Sequence, residues 1–393
     1  LGDALNAGLA TAVGAEILEA LKYVDNENPM ASMRFSCTQV GPNSLVYGTE
    51  DDLRKGLSSI ETYAKPERVF VESNCSVSLV GDDVQGIADQ MDLPWPVYAM
   101  DSGGMKGSFE AGYSAASLRI EKEMKTKEKI PASVNVLGLS TVHMKGREDA
   151  EEIRRLLSLC GIRVISMPGG GSNWEDIMDA PSASLNIVVR DELGLSLAKQ
   201  MEQDFGMPYI SCGLPYGTDG TLAWLSEIIE KLGAGELTRA SHEATKLKEF
   251  LLRKGNNLES LWGPLWFDAV LISAPPSEAL GIAEAIRSEW IDTARLCIHA
   301  QCETEKSTPA ADAIRVVMKN EKEIAKDYED WQGGLVLSSS HETHLLRRMG
   351  RSFTGFHLAL PSHDEVHFSD LPQCGLRGAG YLYEQLWNAK LRK

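Results

Sequence analysis

Short apolar runs that end at a polar or glycine-containing segment constrain the fold of this chain most. The run Val69–Val71 is the clearest example, and it ends shortly before Cys75. Runs of this kind are typical of strands buried in a parallel sheet. A helix is expected from Val84 to Met91, behind Gly81 and Asp82. Cys75 is therefore predicted to follow a strand at the carboxyl end of a sheet, where ligands bind in open α/β folds.

The same strand–turn–helix pattern recurs along the chain, and 393 residues exceed one comfortable hydrophobic core. We therefore predict an α/β fold of three Rossmann-like domains, each a mostly parallel sheet flanked by helices. The expected domains are residues 1–130 with the Cys75 site, 131–258 with a helical connector from 221 to 252, and 259–393. Further strands are expected at 134–138, 162–167, 185–189, 269–273, 295–299 and 334–338.

Composition limits the classes of function. The net charge of −17 argues against non-specific nucleic-acid binding, which needs clustered Lys and Arg. We also expect no membrane association, because no run of about 18 apolar residues occurs. The seven cysteines are too scattered for a secreted disulfide scaffold, so a reducing, cytoplasmic setting is expected. The sequence starts at Leu1 without a secretory signal pattern, and we expect further residues before it.

Cys75 has two interpretations when it is judged by position alone. A free cysteine often packs as a small buried hydrophobe, and its presence by itself does not indicate reactivity or ligation. The surrounding letters favour ligation. The segment C-x-x-x-x-V-G-D-D from Cys75 to Asp83, together with Val46–Glu50, resembles the nitrogenase component 1 family. The resemblance extends from Phe35 to Asn388 and is also firm at Pro372–Gly378.

The resemblance implies a set of site residues. Cys75 matches a thiolate ligand of an iron–sulfur cluster at a subunit interface. Asp3 resembles an aspartate that serves as iron ligand in one of the two subunit types of protochlorophyllide reductases. The favoured interpretation, however, is that Asp3 is the N-cap of the Ala-rich helix expected from Ala4 to Leu21. Cys37 is a lesser candidate near the cluster. The residues assigned to cofactor binding lie beside Cys75 and in a Gly-rich segment, and they are Gly81, Asp82, Gly107 and Ser108.

Two positions distinguish the subunit types of the family. Nitrogenase α subunits carry a cofactor-ligating cysteine after a strand like that at 185–189, and this chain has Arg190 there. The α-subunit histidine that binds the cofactor would fall near Glu365, which replaces it. A small shift of the alignment would bring His363 or His367 to that position, but this placement is not favoured. The segment 213–219 also looks like the β-side pattern. We therefore expect a β-type subunit.

Other candidate groups are interpreted as structural. Cys160 lies on the apolar face of a predicted helix and is expected in the core. Cys297, His299 and Cys302 lack the paired spacing of a zinc site, so ordinary packing is favoured over metal binding. Solvent exposure is the default for two histidines expected to follow a strand, His341 and His344. The glycine turn at 168–172 could hold an anion, but it matches no nucleotide-binding pattern.

The resemblance implies a function as well as a fold. Family members receive electrons from an ATP-dependent iron protein and pass them through a cluster, here [4Fe-4S] or P-cluster-like, that is shared with a homologous partner subunit. One thiolate cannot hold such a cluster, so the partner, Asp3 or cysteines before Leu1 must complete it. Two alternatives remain open: a cofactor-assembly scaffold without a released product, and a cluster-free Rossmann-type binding protein with Cys75 buried. No catalytic residue and no substrate can be assigned.

Overall fold

A computed structural model describes residues 38, 40–63, 66–73, 75–101, 103–316, 324–326, 328–329 and 331–392. Three parallel sheets flanked by helices occur in this part of the chain, which confirms the predicted α/β class. The chain divides into two compact units, one ending at Ala116 and one beginning at Ser117. The three-domain division at 130 and 258 stays a prediction. Among the described helices, none combines the length and the apolar character that a membrane span requires.

The first unit is built on a two-stranded parallel sheet. Its strands are Val69–Glu72 (β1) and Val97–Met100 (β2), and Val69 lies opposite Val97. Its helices are Pro42–Tyr47 (α1), Glu50–Tyr63 (α2), Cys75–Val80 (α3) and Val84–Asp89 (α4), and Phe109–Glu121 (α5) crosses the boundary between the units. Leucines of α2 pack with α4 and β2 in a small core of Leu53, Leu57, Ile87, Ala88, Trp95 and Val97.

The second sheet has four parallel strands in the order β4-β3-β5-β6. These are Ser133–Leu137 (β3), Arg163–Ser166 (β4), Leu185–Val188 (β5) and Tyr209–Ser211 (β6). The accompanying helices are Gly146–Leu159 (α6), Trp174–Asp179 (α7), Asp191–Phe205 (α8) and Thr218–Leu232 (α9). The predicted apolar face of α6 is confirmed, because Ile153, Leu156 and the following Cys160 are all buried in the core.

The third sheet has five parallel strands in the order β11-β10-β7-β8-β9. They are Trp266–Ala274 (β7), Asp292–Ala300 (β8), Ala313–Val316 (β9), Leu335–Ser338 (β10) and Thr354–His357 (β11). The helices of this part of the chain are Thr238–Trp262 (α10), which precedes β7, and Pro276–Ala285 (α11), Ser340–Arg348 (α12) and Gly375–Leu391 (α13). The helical connector predicted from 221 to 252 consists of two helices: α9 ends at Leu232, before Gly233 with a φ of +68°, and α10 begins at Thr238.

Gly138 ends the central strand of the second sheet and lets another backbone segment approach it closely. Its φ is +89°, and a Cβ at this position would lie 2.6 Å from the carbonyl oxygen and 2.9 Å from the nitrogen of Arg190. Arg190 directly precedes α8, and Gly194 in the first turn of α8 also packs on the end of β3. Only glycine accommodates both the positive φ and the contact.

A buried ion pair joins the second sheet to the third. Arg190 is fully buried, and its Nε and Nη2 donate to Oε1 of Glu278 at 2.9 and 2.5 Å. Glu278 lies in the first turn of α11, which follows β7. The third donor, Nη1 of Arg190, lies 3.2 Å from the carbonyl oxygen of Gly138. The pair therefore fixes the beginning of α8 against the beginning of α11.

A second buried carboxyl group faces the same guanidinium. Asp149 of α6 accepts hydrogen bonds from the backbone N–H groups of Gln373 and Cys374, at 2.7 and 2.9 Å, just before α13. Burial raises the pKa of Asp149 to about 6, against the opposing effects of Arg190 and these hydrogen bonds. Burial likewise raises the pKa of Glu278 to about 7, although Arg190 opposes the shift. Burial disfavours the Arg190 cation, but Glu278, Tyr216 and Asp149 together outweigh this effect and raise the Arg190 pKa, so the guanidinium stays protonated.

We predict that Gly138→Ala is much more destabilising than Gly161→Ala. Both glycines have positive φ, +89° and +75°, but a Cβ at Gly161 meets no atom within 4 Å. Gly161→Ala should therefore cost only the backbone strain, about 1 kcal/mol. Gly138→Ala adds an overpacking cost of about 1–3 kcal/mol. Denaturant unfolding of the two variants measures the difference, and equal losses would contradict the close contact at Arg190.

We predict that Asp149→Asn reduces the dependence of stability on pH. The folded-state pKa of Asp149 lies above its unfolded value, so its contribution is fully present below about pH 4 and is lost as the pH rises through about 6. Asn keeps an oxygen that can accept both backbone hydrogen bonds. The free energy of unfolding of the wild type should therefore fall relative to the variant, by on the order of 2 kcal/mol between about pH 4 and pH 7. A pH-independent difference would contradict the assignment.

Candidate functional site

Cys75 follows the carboxyl end of β1, as predicted, and it is the first residue of α3, a short helix that precedes the helix predicted from Val84. Its side chain is exposed, which contradicts the alternative in which a buried cysteine only fills the core. The Cys75 Sγ accepts a hydrogen bond from the backbone N–H of Gly104 at 3.2 Å. Gly104 follows the carboxyl end of β2, so the two parallel strands bring a thiol and a peptide donor together at one edge.

Polar groups follow the same two strands. Asp101 comes directly after β2, and it forms an ion pair with Lys106 at 2.9 Å and accepts a hydrogen bond from the Ser78 hydroxyl. These two contacts, first the one with Ser78 and then the one with Lys106, lower the pKa of Asp101. The carboxylate therefore links α3, which carries Cys75, to the glycine-rich segment after β2.

Gly81 and Asp82 follow α3, where the sequence places cofactor-binding residues. One oxygen of Asp82 accepts hydrogen bonds from the backbone N–H and the hydroxyl of Thr49, at 2.5 and 2.7 Å. Gly81 has a φ of +80° and makes the turn before α4. Asp82 thus ties the turn to the segment before α2, and its cofactor-binding role stays a prediction.

Gly107 and Ser108 precede α5. The Ser108 hydroxyl accepts a hydrogen bond from the N–H of Ala111 at 3.4 Å, and a Cβ at Gly107 would lie 2.9 Å from that of Ala111. These contacts form the start of the helix. A role in cofactor binding for Gly107 and Ser108 remains a prediction. The two other candidate iron ligands, Asp3 and Cys37, lie outside the described residues.

Large apolar side chains are exposed in the same unit as Cys75. Leu79 lies one helical turn beyond Cys75 on α3 and is 69% exposed, and Met105, next to Gly104, is 68% exposed. Side chains four residues apart share a face of a helix, so Cys75 and Leu79 point to the same side. Further exposed apolar residues of this unit are Val46, Tyr47, Phe70 and Phe109. The residues that flank Cys75 on α3 and Gly104 after β2 thus include exposed apolar side chains.

The cysteines of the second unit lie in packed surroundings. Cys160, Cys297 and Cys302 are buried, as the packing interpretation predicts, and the ring of His299 stacks on Tyr328 with centroids 5.4 Å apart. Burial raises the pKa of Cys374 well above its usual range and that of Cys212 to about 12. Cys75 is the one exposed thiol among the described cysteines.

The histidines near the carboxyl end of the third sheet fall into two groups. His341 and His344 of α12 are exposed, as expected. His367 lies with Glu365 and His357 in a cluster whose donor atoms are all within 4.8 Å of one another. Burial lowers the pKa of His367, with smaller lowering contributions from Lys145 and His357, and outweighs the raising effect of Glu365. His363 is outside this cluster.

Sequence reasoning missed His357, the buried member of this cluster. His357 is the last residue of β11, and its position at the carboxyl end of a parallel strand was the available signal. Its separation from Glu365 and His367 along the chain hid the association. Sequence reasoning also missed the role of Glu278 as the partner of Arg190, because 88 residues separate the two.

Comparison with known proteins places these features in a family. The sequence profile of a family described as "Nitrogenase component 1 type Oxidoreductase" matches residues 19–391. The cofactor biosynthesis protein NifE of Clostridium pasteurianum is 30% identical over 228 residues, which span 57% of this chain and 47% of that protein. A light-independent protochlorophyllide reductase subunit of Chlorobium phaeobacteroides (strain BS1) is 24% identical, over 88% of this chain and 69% of its own length.

A solved structure agrees at the level of the fold. The structure described as "Nitrogenase Cp1 at pH 6.5" superposes with a TM-score of 0.70 at 16% identity, over 99% of this chain and 91% of that chain. Identity this low supports the fold alone. The NifE relative is matched over only about half of its length, 47%. The profile, by contrast, matches nearly the whole chain, and the chain therefore belongs to the family of nitrogenase component 1 type oxidoreductases.

Proposed function

We propose that this chain is a β-type subunit of a nitrogenase-like oxidoreductase. It receives electrons from an ATP-dependent iron protein through an iron–sulfur cluster, [4Fe-4S] or P-cluster-like, at the interface with a homologous partner subunit. The partner is either a second copy of this chain or a related chain. The single observation that carries the proposal is the exposed Cys75 thiol at the carboxyl edge of β1, beside Gly104.

The surroundings of Cys75 fit a cluster ligand. A thiolate is the usual ligand of iron in such clusters, and an N–H donor to the sulfur is one of the protein groups that set the reduction potential. The Gly104 N–H supplies this donor at 3.2 Å. A side chain at Gly104 would begin 3.5 Å from Sγ, so glycine keeps the approach to the sulfur open. When bound, the cluster would accept and pass on single electrons.

One thiolate leaves most of the cluster irons without a protein ligand, since a [4Fe-4S] cluster is ordinarily held by four cysteines. The remaining ligands must come from a partner chain or from other parts of this chain, with Asp3 and Cys37 as the candidates. The exposed apolar side chains Leu79 and Met105 beside the site support a partner surface. A cluster at this position would lie at a subunit boundary.

The β-type assignment is supported by Arg190. By resemblance, nitrogenase α subunits have a cofactor-ligating cysteine at this position. Here the position holds a guanidinium that is fully buried and engaged with Glu278 at 2.5 and 2.9 Å. A guanidinium has no acceptor lone pair and cannot ligate a metal at this position. A cluster ligated by Cys75 does not need a cysteine there.

A cofactor-assembly scaffold is the second candidate function. The observation that favours it is the 30% identity to the cofactor biosynthesis protein NifE over 228 residues. A scaffold would hold a cluster at Cys75 in the same way but would release no reduced product. The substrate of a reductase would occupy a pocket formed partly by the partner chain.

We predict that Cys75→Ser removes most of the bound iron and acid-labile sulfide from protein purified without oxygen together with its partner. The hydroxyl is a much weaker iron ligand than the thiolate. Cys160→Ser, which removes a buried thiol, and Ser76→Ala, which changes the exposed neighbour of Cys75, should leave the cluster content near the wild-type value. Equal and negligible losses in all three variants, or an iron-free wild-type complex, would refute the cluster-based function.

We predict that the complex of this chain with its partner sustains ATP hydrolysis and consumption of reductant when an iron protein of the family and a reducible substrate are added. Dinitrogen and protochlorophyllide are the first substrates to test. The Cys75→Ser complex serves as the control and should hydrolyse ATP without forming reduced product. If the cluster is reduced but no tested substrate is converted to product, the scaffold is favoured over the reductase.

A further inference from the structure

Three potential metal ligands converge at the carboxyl end of the third sheet. The Oε2 atom of Glu365 lies 3.9 Å from Nδ1 of His357 and 3.8 Å from Nε2 of His367. All three donor atoms lie within 4.8 Å of one another. The His357 side chain is 1% exposed, that of His367 11% and that of Glu365 30%. The three groups therefore form a mostly buried polar cluster in which Glu365 is the most exposed member.

Hydrogen bonds fix the side chains of this cluster. The Glu365 Oε2 accepts the backbone N–H of His357 at 2.9 Å, which orients the carboxylate towards the two rings. The Ser362 hydroxyl lies between the rings, 2.7 Å from Nδ1 of His357 and 3.4 Å from Nε2 of His367. Two imidazoles, a carboxylate and a hydroxyl thus surround one point.

The opposite side of the His357 ring is also arranged as in metal sites. Nε2 of His357 lies 3.4 Å from Oδ1 of Asp364, and the other oxygen of Asp364 accepts a hydrogen bond from Arg347 at 2.6 Å. The Thr343 hydroxyl also lies 3.4 Å from Nε2, and a proton on Nε2 leaves the lone pair of Nδ1 directed at the Ser362 hydroxyl, 2.7 Å away. Metal-ligating histidines usually donate their second N–H to an acceptor, and Thr343 and Asp364 supply acceptors on this side of the ring. The nearby Lys145 donates to the carbonyl oxygen of Ser369.

Alternation along the segment after β11 points its polar groups to one side. Glu365 and His367 are partly buried, whereas Val366 and Phe368 are 75% and 96% exposed. The alternation sends two apolar side chains into solvent and two potential ligands towards His357. Exposure of Val366 and Phe368 to water costs free energy, and binding of an ion by the inward-facing groups would offset that cost.

We propose that His357, Glu365 and His367 bind a single divalent transition-metal ion, with the Ser362 oxygen as a fourth neighbour. Two imidazole nitrogens and a carboxylate oxygen suit Zn²⁺, Fe²⁺ or Co²⁺ better than Mg²⁺ or Ca²⁺. Tetrahedral metal–ligand bonds of about 2.0–2.2 Å place the donors about 3.3–3.5 Å apart, so the distances from Glu365 to His357 and to His367, 3.9 and 3.8 Å, must shorten by about half an ångström. Glu365 and His367 belong to an irregular segment, which permits this movement.

The site is separate from Cys75 and does not rest on the proposed function. A bound ion would link the segment that precedes α13 to the end of β11. The exposed side of Glu365 leaves one coordination position accessible from solvent. A small oxygen- or nitrogen-containing ligand could therefore reach the ion.

Cobalt binding to the untagged chain tests the proposal. The Cys75→Ser protein is used as the reference, so that the exposed thiol contributes no binding. We expect one Co²⁺ per chain, with visible absorption bands of a four- or five-coordinate ion, and displacement by Zn²⁺. Glu365→Gln and His367→Ala, at partly exposed positions, should each weaken binding by more than about 100-fold. His242→Ala, which changes a histidine on α10 far from the cluster along the chain, is the matched control and should bind normally.

Two results would overturn the proposal. The first is the absence of saturable binding by the reference protein at micromolar Co²⁺ and Zn²⁺. The second is an affinity that Glu365→Gln and His367→Ala leave unchanged. Far-UV circular dichroism and thermal unfolding of each variant without metal establish that any loss of binding is not caused by unfolding.

Discussion

The fully buried guanidinium of Arg190 depends on hydrogen-bond acceptors and a countercharge that several segments, distant along the chain, supply together. A buried charge is tolerated only when it is paired and hydrogen-bonded, because its desolvation costs several kcal/mol. Glu278 of α11 supplies the pairing carboxylate, and Gly138 supplies a carbonyl oxygen at the end of β3. Asp149, whose pKa burial raises to about 6, adds a second carboxyl group. The second and third sheets are therefore joined by electrostatics as well as by apolar packing.

This arrangement also restricts where the chain can do chemistry. The carboxyl ends of parallel strands are the usual ligand sites of such folds. At the second sheet that edge is occupied by Arg190, which contacts Glu278. The first unit instead presents the exposed thiol of Cys75 beside Gly104, and the third sheet presents His357 at the end of β11. The positions suited to binding a ligand or metal thus lie at the edges of the first and third sheets.

Local patterns were sufficient to predict the class of fold. Short, mostly apolar runs of four or five residues mark strands such as β3 and β5, since these are buried on both faces. The spacing of Ile153, Leu156 and Cys160 predicted the buried face of α6 correctly. The helical connector expected from 221 to 252 is divided at Gly233 into α9 and α10, a division that the apolar pattern did not indicate. A left-handed glycine ends a helix regardless of the apolar pattern on either side.

The sequence by itself determined the parallel α/β class and the position of Cys75 between a strand and a helix, since strands, turns and helix starts depend on neighbouring residues. Its family resemblance rested on the letters around Cys75 and Pro372–Gly378. Only the tertiary structure decided which residues meet across the chain. The contact of Cys75 with Gly104, the pairing of Arg190 with Glu278 and the approach of His357 to His367 depend on the order of strands within sheets. Strand order is set by packing of whole elements, and no local pattern encodes it.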